Sequence, residues 1–148
     1  MTALDPDLFL PDPAPAEVRY TVISVDDHVV EPPHLFDTYM QPALRERGPQ
    51  LVENEKGHQL WEFDGNRYVQ MGMNAVAGRR PDTVKIEPFR FEHMRPGCYD
   101  VEARIKDMDL GGIWAMLNFP SQVTGFCGTV FARASDPAVG LDAVRAWN

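Results

Sequence analysis

The sequence predicts an α/β fold built on a parallel strand-helix-strand unit, and three segments predict it. A strand is predicted at residues 20–27, an amphipathic helix follows Asp100, and a continuous apolar run spans residues 113–117. Such a run is typical of a strand covered on both faces, as in parallel sheets. Two parallel strands joined through a helix form a crossover unit, which is almost always right-handed.

The helix between the two strands is marked at both ends. Asp100 is the predicted N-cap, because its carboxylate can accept a hydrogen bond from a free N–H of the first turn. Val101, Ile105 and Met108 recur at helical spacing and predict one apolar face. Gly111-Gly112 predicts the end of the helix, since glycine readily adopts a left-handed conformation.

A long excursion separates the first strand from this helix. Pro32-Pro33 ends the strand, and a short helix is predicted at residues 35–40. Residues 50–70 carry a β-hairpin around Asp64-Gly65-Asn66, and residues 72–96 have no period, which indicates a functional or a disordered loop. The hairpin is expected to cover the rim of the fold or a neighbouring subunit, rather than contact substrate, with its aromatic residues Trp61, Phe63 and Tyr68.

The two ends of the chain predict its domain organisation. Residues 1–19 are a Pro-rich leader that is expected to be mobile, and residues 20–148 form the domain. Asp136 and Pro137 predict the start of a last helix, whose apolar stripe continues to Trp147 without a C-terminal cap. We therefore expect a chain truncated at its C-terminus.

Composition narrows the class of protein. The chain has 148 residues, of which 44% are hydrophobic and 24% charged, and its net charge is -8. Ordinary hydrophobicity predicts a globular domain, and the negative charge argues against nucleic acid and anionic membranes. Cys98 and Cys127 are too few for a disulfide framework, and no signal peptide or membrane span is evident, so a cytoplasmic location is expected.

Asp26 and His28 stand where the first strand ends. Strand side chains alternate between faces, so this carboxylate and this imidazole are expected on one side. Active sites of parallel α/β folds lie at the carboxyl ends of the strands, and both groups are metal ligands. The alternative is an aspartate that caps a turn beside an unrelated histidine.

Four sequence blocks extend this motif into a family resemblance. They are residues 24–33 (SVDDHVVEPP), 71–79 (MGMNAVAGR), 94–100 (MRPGCYD) and 103–109 with 118–121 (ARIKDMD and NFPS). In this order they resemble the N-terminal part of the amidohydrolase-related (amidohydrolase 2) family. Its members are metal-dependent (β/α)8 barrels that include hydrolases and non-oxidative decarboxylases of aromatic and related carboxylic acids.

The resemblance implies a fold and a metal site. The chain would supply the first two strands of a (β/α)8 TIM barrel, with a long insertion carrying the hairpin, and a whole barrel needs about 250 residues. Asp26 and His28 match the family's first pair of metal ligands, for zinc or alternatively manganese. The family's other ligands, a His and an Asp, would lie beyond Asn148, so no catalytic residue is expected within this chain.

Four further residues are candidates for the site. Glu31 either orients the His28 imidazole as an acceptor or serves the turn. Asn74 and Arg79 could grip a substrate carboxylate, although a surface role is the alternative for arginine. Asn118, like Ser121, could orient substrate or simply form the turn after the second strand.

Three functional hypotheses follow. The first is an N-terminal fragment, inactive alone, of an enzyme that hydrolyses an amide, ester or lactone or decarboxylates a small aromatic acid. The second is a catalytically dead module that acts in protein interaction or forms a homodimer through its hairpin. The third is a small α/β domain in which the Asp-x-His spacing is coincidental.

Overall fold

A computed structural model describes residues 4–69, 75–84 and 90–148 of the chain. It is a mixed α/β structure with one parallel and one antiparallel sheet. The strands are β1 (Val22–His28), β2 (Gln50–Glu53), β3 (Gln59–Phe63), β4 (Asn66–Val69) and β5 (Ile113–Phe119). The helices are α1 (Leu35–Tyr39), α2 (Pro42–Arg45), α3 (Val101–Gly111) and α4 (Pro137–Trp147).

The predicted parallel unit is present. β1 and β5 pair in parallel, with His28 opposite Phe119, and α3 precedes β5. Asp100 caps α3 as predicted, because its carboxylate accepts a hydrogen bond of 2.8 Å from the Ala103 N–H. Gly112 ends the helix with a left-handed φ of 66°.

The described residues leave much of this unit uncovered. Val101 and Ile105 are exposed, so the predicted apolar face of α3 is not a buried one. α3 is instead tied down by polar contacts, among them Arg104 Nε to Met116 Sδ at 2.9 Å. Trp114 and Leu117 are also exposed, so β5 is not covered on both faces by the described residues.

The antiparallel sheet contains the predicted hairpin and one strand more. β3 and β4 pair around a turn in which Asp64 (φ 51°) and Gly65 (φ 76°) take left-handed conformations. β2 adds a third strand on the other side of β3, which the sequence pattern did not predict. Trp61 and Phe63 are buried within the chain, because the sheet packs against α1 and the segment before α4.

An aromatic core holds these elements together. Phe36 of α1 makes edge contacts with Trp61 at 5.2 Å and with Phe131 at 5.7 Å between ring centroids. Phe63 contacts Phe131 in the same way at 5.4 Å. Such pairs add to the stabilisation from burial itself. We call these four side chains, Phe36, Trp61, Phe63 and Phe131, the aromatic core.

Part of the Pro-rich leader is packed against the rest of the chain, although little burial was expected there. Phe9 is buried, and Leu10 donates a backbone hydrogen bond of 2.8 Å to Gly78. Arg80 in turn donates to Leu8 at 2.9 Å. These bonds attach residues 8–10 to the segment around Arg79. Burial of the apolar Phe9 side chain stabilises the same attachment, because it removes apolar surface from water.

The last helix, α4, starts at the residue that the sequence predicted. α4 begins at the predicted cap, where Asp136 accepts a hydrogen bond of 2.8 Å from the Ala138 N–H. Among the residues that the structure describes, no helix has both the length and the apolar character that crossing a bilayer requires.

Candidate metal site and adjoining cavity

Asp26 and His28 lie side by side at the carboxyl end of β1. Asp26 Oδ1 is 3.7 Å from His28 Nε2, and the two side chains are 83% and 58% exposed. β1 carries a bulge here, since Val25 and Asp26 together face the single residue Leu117. A bulge redirects side chains and is often found beside active sites. The two groups therefore converge, as their spacing predicted.

The donor set suits a divalent cation. One carboxylate oxygen and one imidazole nitrogen are zinc or manganese ligands. Two ligands of one tetrahedral zinc lie roughly 3.4 Å apart by the usual bond lengths, close to the observed separation. The described ranges, 4–69, 75–84 and 90–148, contain no group of three or more His, Cys, Asp or Glu that could hold a metal. The pair offers part of a coordination sphere.

Glu31 is fully buried and connects the two loops that follow the parallel strands. Its carboxylate accepts hydrogen bonds from the Ser121 N–H at 3.0 Å, from the Ser121 hydroxyl, and from the Thr124 hydroxyl at 2.7 Å. Within the described residues these bonds run to the loop after β5 rather than to His28. Glu31 therefore joins the loop after β1 to the loop after β5, which is neither of the two roles predicted for it.

A cavity of about 430 Å³ opens directly beside His28. Its walls come from the loops after β1 and β5 and from β4 of the hairpin. The residues lining it are His28, Val29, Val30, Tyr68, Pro120, Ser121, Gln122, Gly125 and Phe126. The mixture of apolar surface and a few polar groups is typical of small-molecule sites.

Aromatic rings continue from His28 along one side of the cavity. The His28 ring is 5.9 Å from Phe119, and Phe119 stacks on Phe126 at 6.5 Å with an interplanar angle of 17°. Phe126 is exposed and sits between Gly125 and Cys127, whose φ angles of 72° and 54° are left-handed. This tight turn presents an aromatic ring to solvent at the cavity wall.

Arg79, a predicted substrate residue, does not join this group. Arg79 is buried, and its guanidinium donates to the carbonyl oxygens of His93 at 2.8 Å and Thr83 at 2.7 Å. Its guanidinium carbon also lies 6.0 Å from the Phe9 ring centroid. Arg79 thus holds backbone segments together. Its guanidinium N–H groups donate to backbone carbonyl oxygens, and these are the groups with which it would grip a substrate carboxylate. Asn74 lies outside the described residues.

Asn118 lies on the other face of the parallel sheet from His28. Its register partner Asp27 has Oδ1 3.9 Å from Arg104 Nη2, so this face is turned toward α3. Side chains of neighbouring residues in a strand point to opposite faces, which places Asn118 opposite the ring of Phe119. Asn118 Oδ1 and Asp27 Oδ2 are buried acceptors with no hydrogen-bond partner among the described residues.

Tyr68 and Phe126 were not predicted as site residues. The sequence pattern placed Tyr68 in the hairpin, but it gave no information on what the hairpin would touch. Tyr68 reaches the cavity because the hairpin folds back over the end of β1, a contact between segments about forty residues apart in sequence. Phe126 carried a local signal, since Gly125 and Gly128 flank it.

Comparison with known proteins supports the fold. No protein-family model matches the chain, and no curated protein matches it either. The chain is similar to the crystal structure of amidohydrolase map2389c from Mycobacterium avium subsp. paratuberculosis K-10, with a TM-score of 0.57 and 20% sequence identity. The match covers 89% of this chain and 37% of that protein's length. At this identity the likeness establishes an amidohydrolase-like fold.

Proposed function

We propose that the chain is the N-terminal part of a metal-dependent enzyme of the amidohydrolase type. The carrying observation is the Asp26 and His28 pair, with Oδ1 and Nε2 3.7 Å apart. It stands at the carboxyl end of a parallel strand, beside a cavity of about 430 Å³. In barrel enzymes this end of the strands is the catalytic face.

The proposal assigns β1 and β5 to the first two strands of a (β/α)8 barrel. The likeness to an amidohydrolase of which the chain spans 37% supports this assignment. So do the exposed apolar side chains of the two strands, since neighbouring strands of a barrel would cover them. The remaining metal ligands, a His and an Asp, would then come from later strands of a longer protein.

The reaction is either hydrolysis of an amide, ester or lactone or decarboxylation of a small carboxylic acid. A divalent cation, zinc or manganese, supplies Lewis-acid polarisation of an oxygen and lowers the pKa of bound water. Asp26 and His28 would hold the cation through one oxygen and one nitrogen, and Glu31 fixes the loop that walls the adjoining cavity. Because the pair supplies only part of the ligand set, we expect this chain to be inactive on its own.

The metal assignment can be tested on the chain itself. Manganese chloride is titrated into the protein, and paramagnetic broadening of the backbone NMR signals around residues 26–30 reports binding. We expect His28→Ala and Asp26→Asn to weaken manganese binding by roughly tenfold or more, since losing a ligand costs at least as much as losing a group that orients it.

A matched control is His34→Ala. His34 is an exposed histidine only six residues further along the chain, and no side-chain capping bond to α1 depends on it. The control should bind manganese like the unmodified chain. Unchanged binding by His28→Ala would refute the ligand assignment.

The exposed parallel sheet favours a second candidate, an interaction module. Ile23 and Val25 of β1 and Leu117 of β5 are exposed on one face of the sheet. A contiguous apolar patch of this kind is typical of association surfaces. The hairpin is a poorer candidate, since Trp61 and Phe63 are buried within the chain.

A further inference from the structure

Among the described residues that line the cavity beside His28, Tyr68 is the one that comes from the antiparallel sheet. The other described lining residues belong to β1 or to the loops that follow β1 and β5. Tyr68 also lines a second cavity of about 260 Å³ with Asp64 and Arg133. Tyr68 is therefore part of the wall between the two cavities. A molecule bound in the larger cavity would contact it.

The hairpin that carries Tyr68 is fixed at both its base and its turn. Tyr68 pairs in register with Trp61, which is buried in the aromatic core. At the turn, Asp64 accepts hydrogen bonds from the Ser135 N–H at 2.8 Å and from the Ser135 hydroxyl. Since both ends of β4 are held, the position of Tyr68 relative to His28 is set by the fold before any ligand arrives.

The chemistry of Tyr68 suits recognition of a polar ligand group. Burial raises the pKa of the Tyr68 phenol above its ordinary value, and the negative charge of Asp64 raises it further. The hydroxyl therefore stays protonated at neutral pH and can donate a hydrogen bond. Phe126, exposed in the same cavity, offers an aromatic face to the apolar part of a ligand.

We infer that Tyr68 is a specificity-determining residue of this cavity, which contacts the ligand held beside His28 and favours ligands bearing a hydrogen-bond acceptor. The inference rests on the proposed function, because that function places a ligand beside His28. It goes beyond it by giving the hairpin a direct part in substrate choice. Sites that hydrogen-bond a ligand discriminate more strongly than purely apolar pockets.

The test titrates 4-hydroxybenzoate into the full chain, with and without zinc chloride. This probe has an oxygen at either end and a ring between, so it can accept from Tyr68 in either orientation. Backbone NMR signals of Val29, Ser121 and Gly125 report binding at the cavity wall. We expect Tyr68→Phe to weaken binding by about threefold to tenfold, the range that one lost hydrogen bond gives, and Tyr68→Ala to weaken it more.

Tyr39→Phe is the matched control, because it makes the same chemical change on an exposed tyrosine of α1 and should leave probe binding unchanged. The amide spectra of all variants check that they remain folded. Equal binding by Tyr68→Phe, Tyr68→Ala and the unmodified chain would overturn the inference. So would the absence of any probe-induced shift at the three reporting amides.

The paired titrations distinguish this inference from the proposed function. If metal binding depends on His28 but the Tyr68 variants bind the probe normally, only the role of Tyr68 fails. If the Tyr68 variants lose probe affinity while metal binding is independent of His28, the metal-dependent enzyme fails and the cavity assignment stands.

Discussion

The aromatic core and the parallel sheet of this chain differ in how fully their apolar side chains are covered. Phe36 of the core is 1% exposed and meets two aromatic rings edge-on. Leu117 of β5 is 55% exposed, and Ile23 and Val25 of β1 are exposed beside it. Both regions are rich in apolar residues, but only the first buries them within the described chain.

This difference separates what stabilises the chain from what the chain can bind. The aromatic core is formed by residues of α1, the hairpin and the segment before α4, and it belongs to a buried cluster that also includes residues of α4. The parallel sheet has open edges and an open face, which are sites for pairing with further strands. The Asp26 and His28 pair lies at the end of this open region. The candidate site thus lies beside the region whose apolar side chains are least covered.

The largest expected effect is on the core. Phe36→Ala should lower the free energy of unfolding by about 3–5 kcal/mol, because it removes a buried ring and leaves a cavity between Trp61 and Phe131. Tyr39→Ala, on the same helix but exposed, should change it by no more than about 0.5 kcal/mol. Urea denaturation followed by circular dichroism measures both, and similar losses would contradict the comparison.

A smaller effect is expected on the open sheet. At high protein concentration we expect self-association through the exposed face, and Leu117→Lys should weaken it by roughly tenfold because it places a charge in an apolar contact. Leu141→Lys is the control, since Leu141 is 52% exposed on α4, almost as much as Leu117. Sedimentation velocity measures the association. Equal behaviour of the two variants would show that the sheet is not the contact surface.

The sequence predicted the features that short segments determine. Asp100 and Gly112 mark the ends of α3 by their own capping chemistry, and Asp64 and Gly65 mark the hairpin turn. The approach of Asp26 to His28 also followed from strand alternation, although the bulge beside them did not. Local backbone preferences are sufficient for such predictions because the partners lie within a few residues of each other.

Contacts between distant segments were harder to predict. Glu31 bonds to Ser121 and Thr124, about ninety residues away, and the Arg79 guanidinium lies over the ring of Phe9, about seventy residues away. Nothing in the spacing of either residue distinguishes these partners from a histidine or a substrate. The exposure of Val101 was missed for a related reason, since a helical stripe shows which face is apolar but not whether anything covers it.

The smallest expected effect concerns the tether that fixes the hairpin. The Ser135 hydroxyl, and then the Ser135 N–H, lower the pKa of Asp64 below its ordinary value of 3.8. A carboxyl whose pKa is lower in the folded state stabilises the fold at pH values above its pKa in the unfolded state. This stabilisation is lost as the pH falls through the pKa of the folded state. Asp64→Asn, which tolerates the left-handed turn, should therefore destabilise the chain at about pH 6 but not at about pH 2. In a Ser135→Ala background, Asp64→Asn should lower the free energy of unfolding by little more. Urea denaturation at the two pH values measures this. If Asp64→Asn were as destabilising in that background as in the unmodified chain, the Asp64 to Ser135 tether would not be the cause.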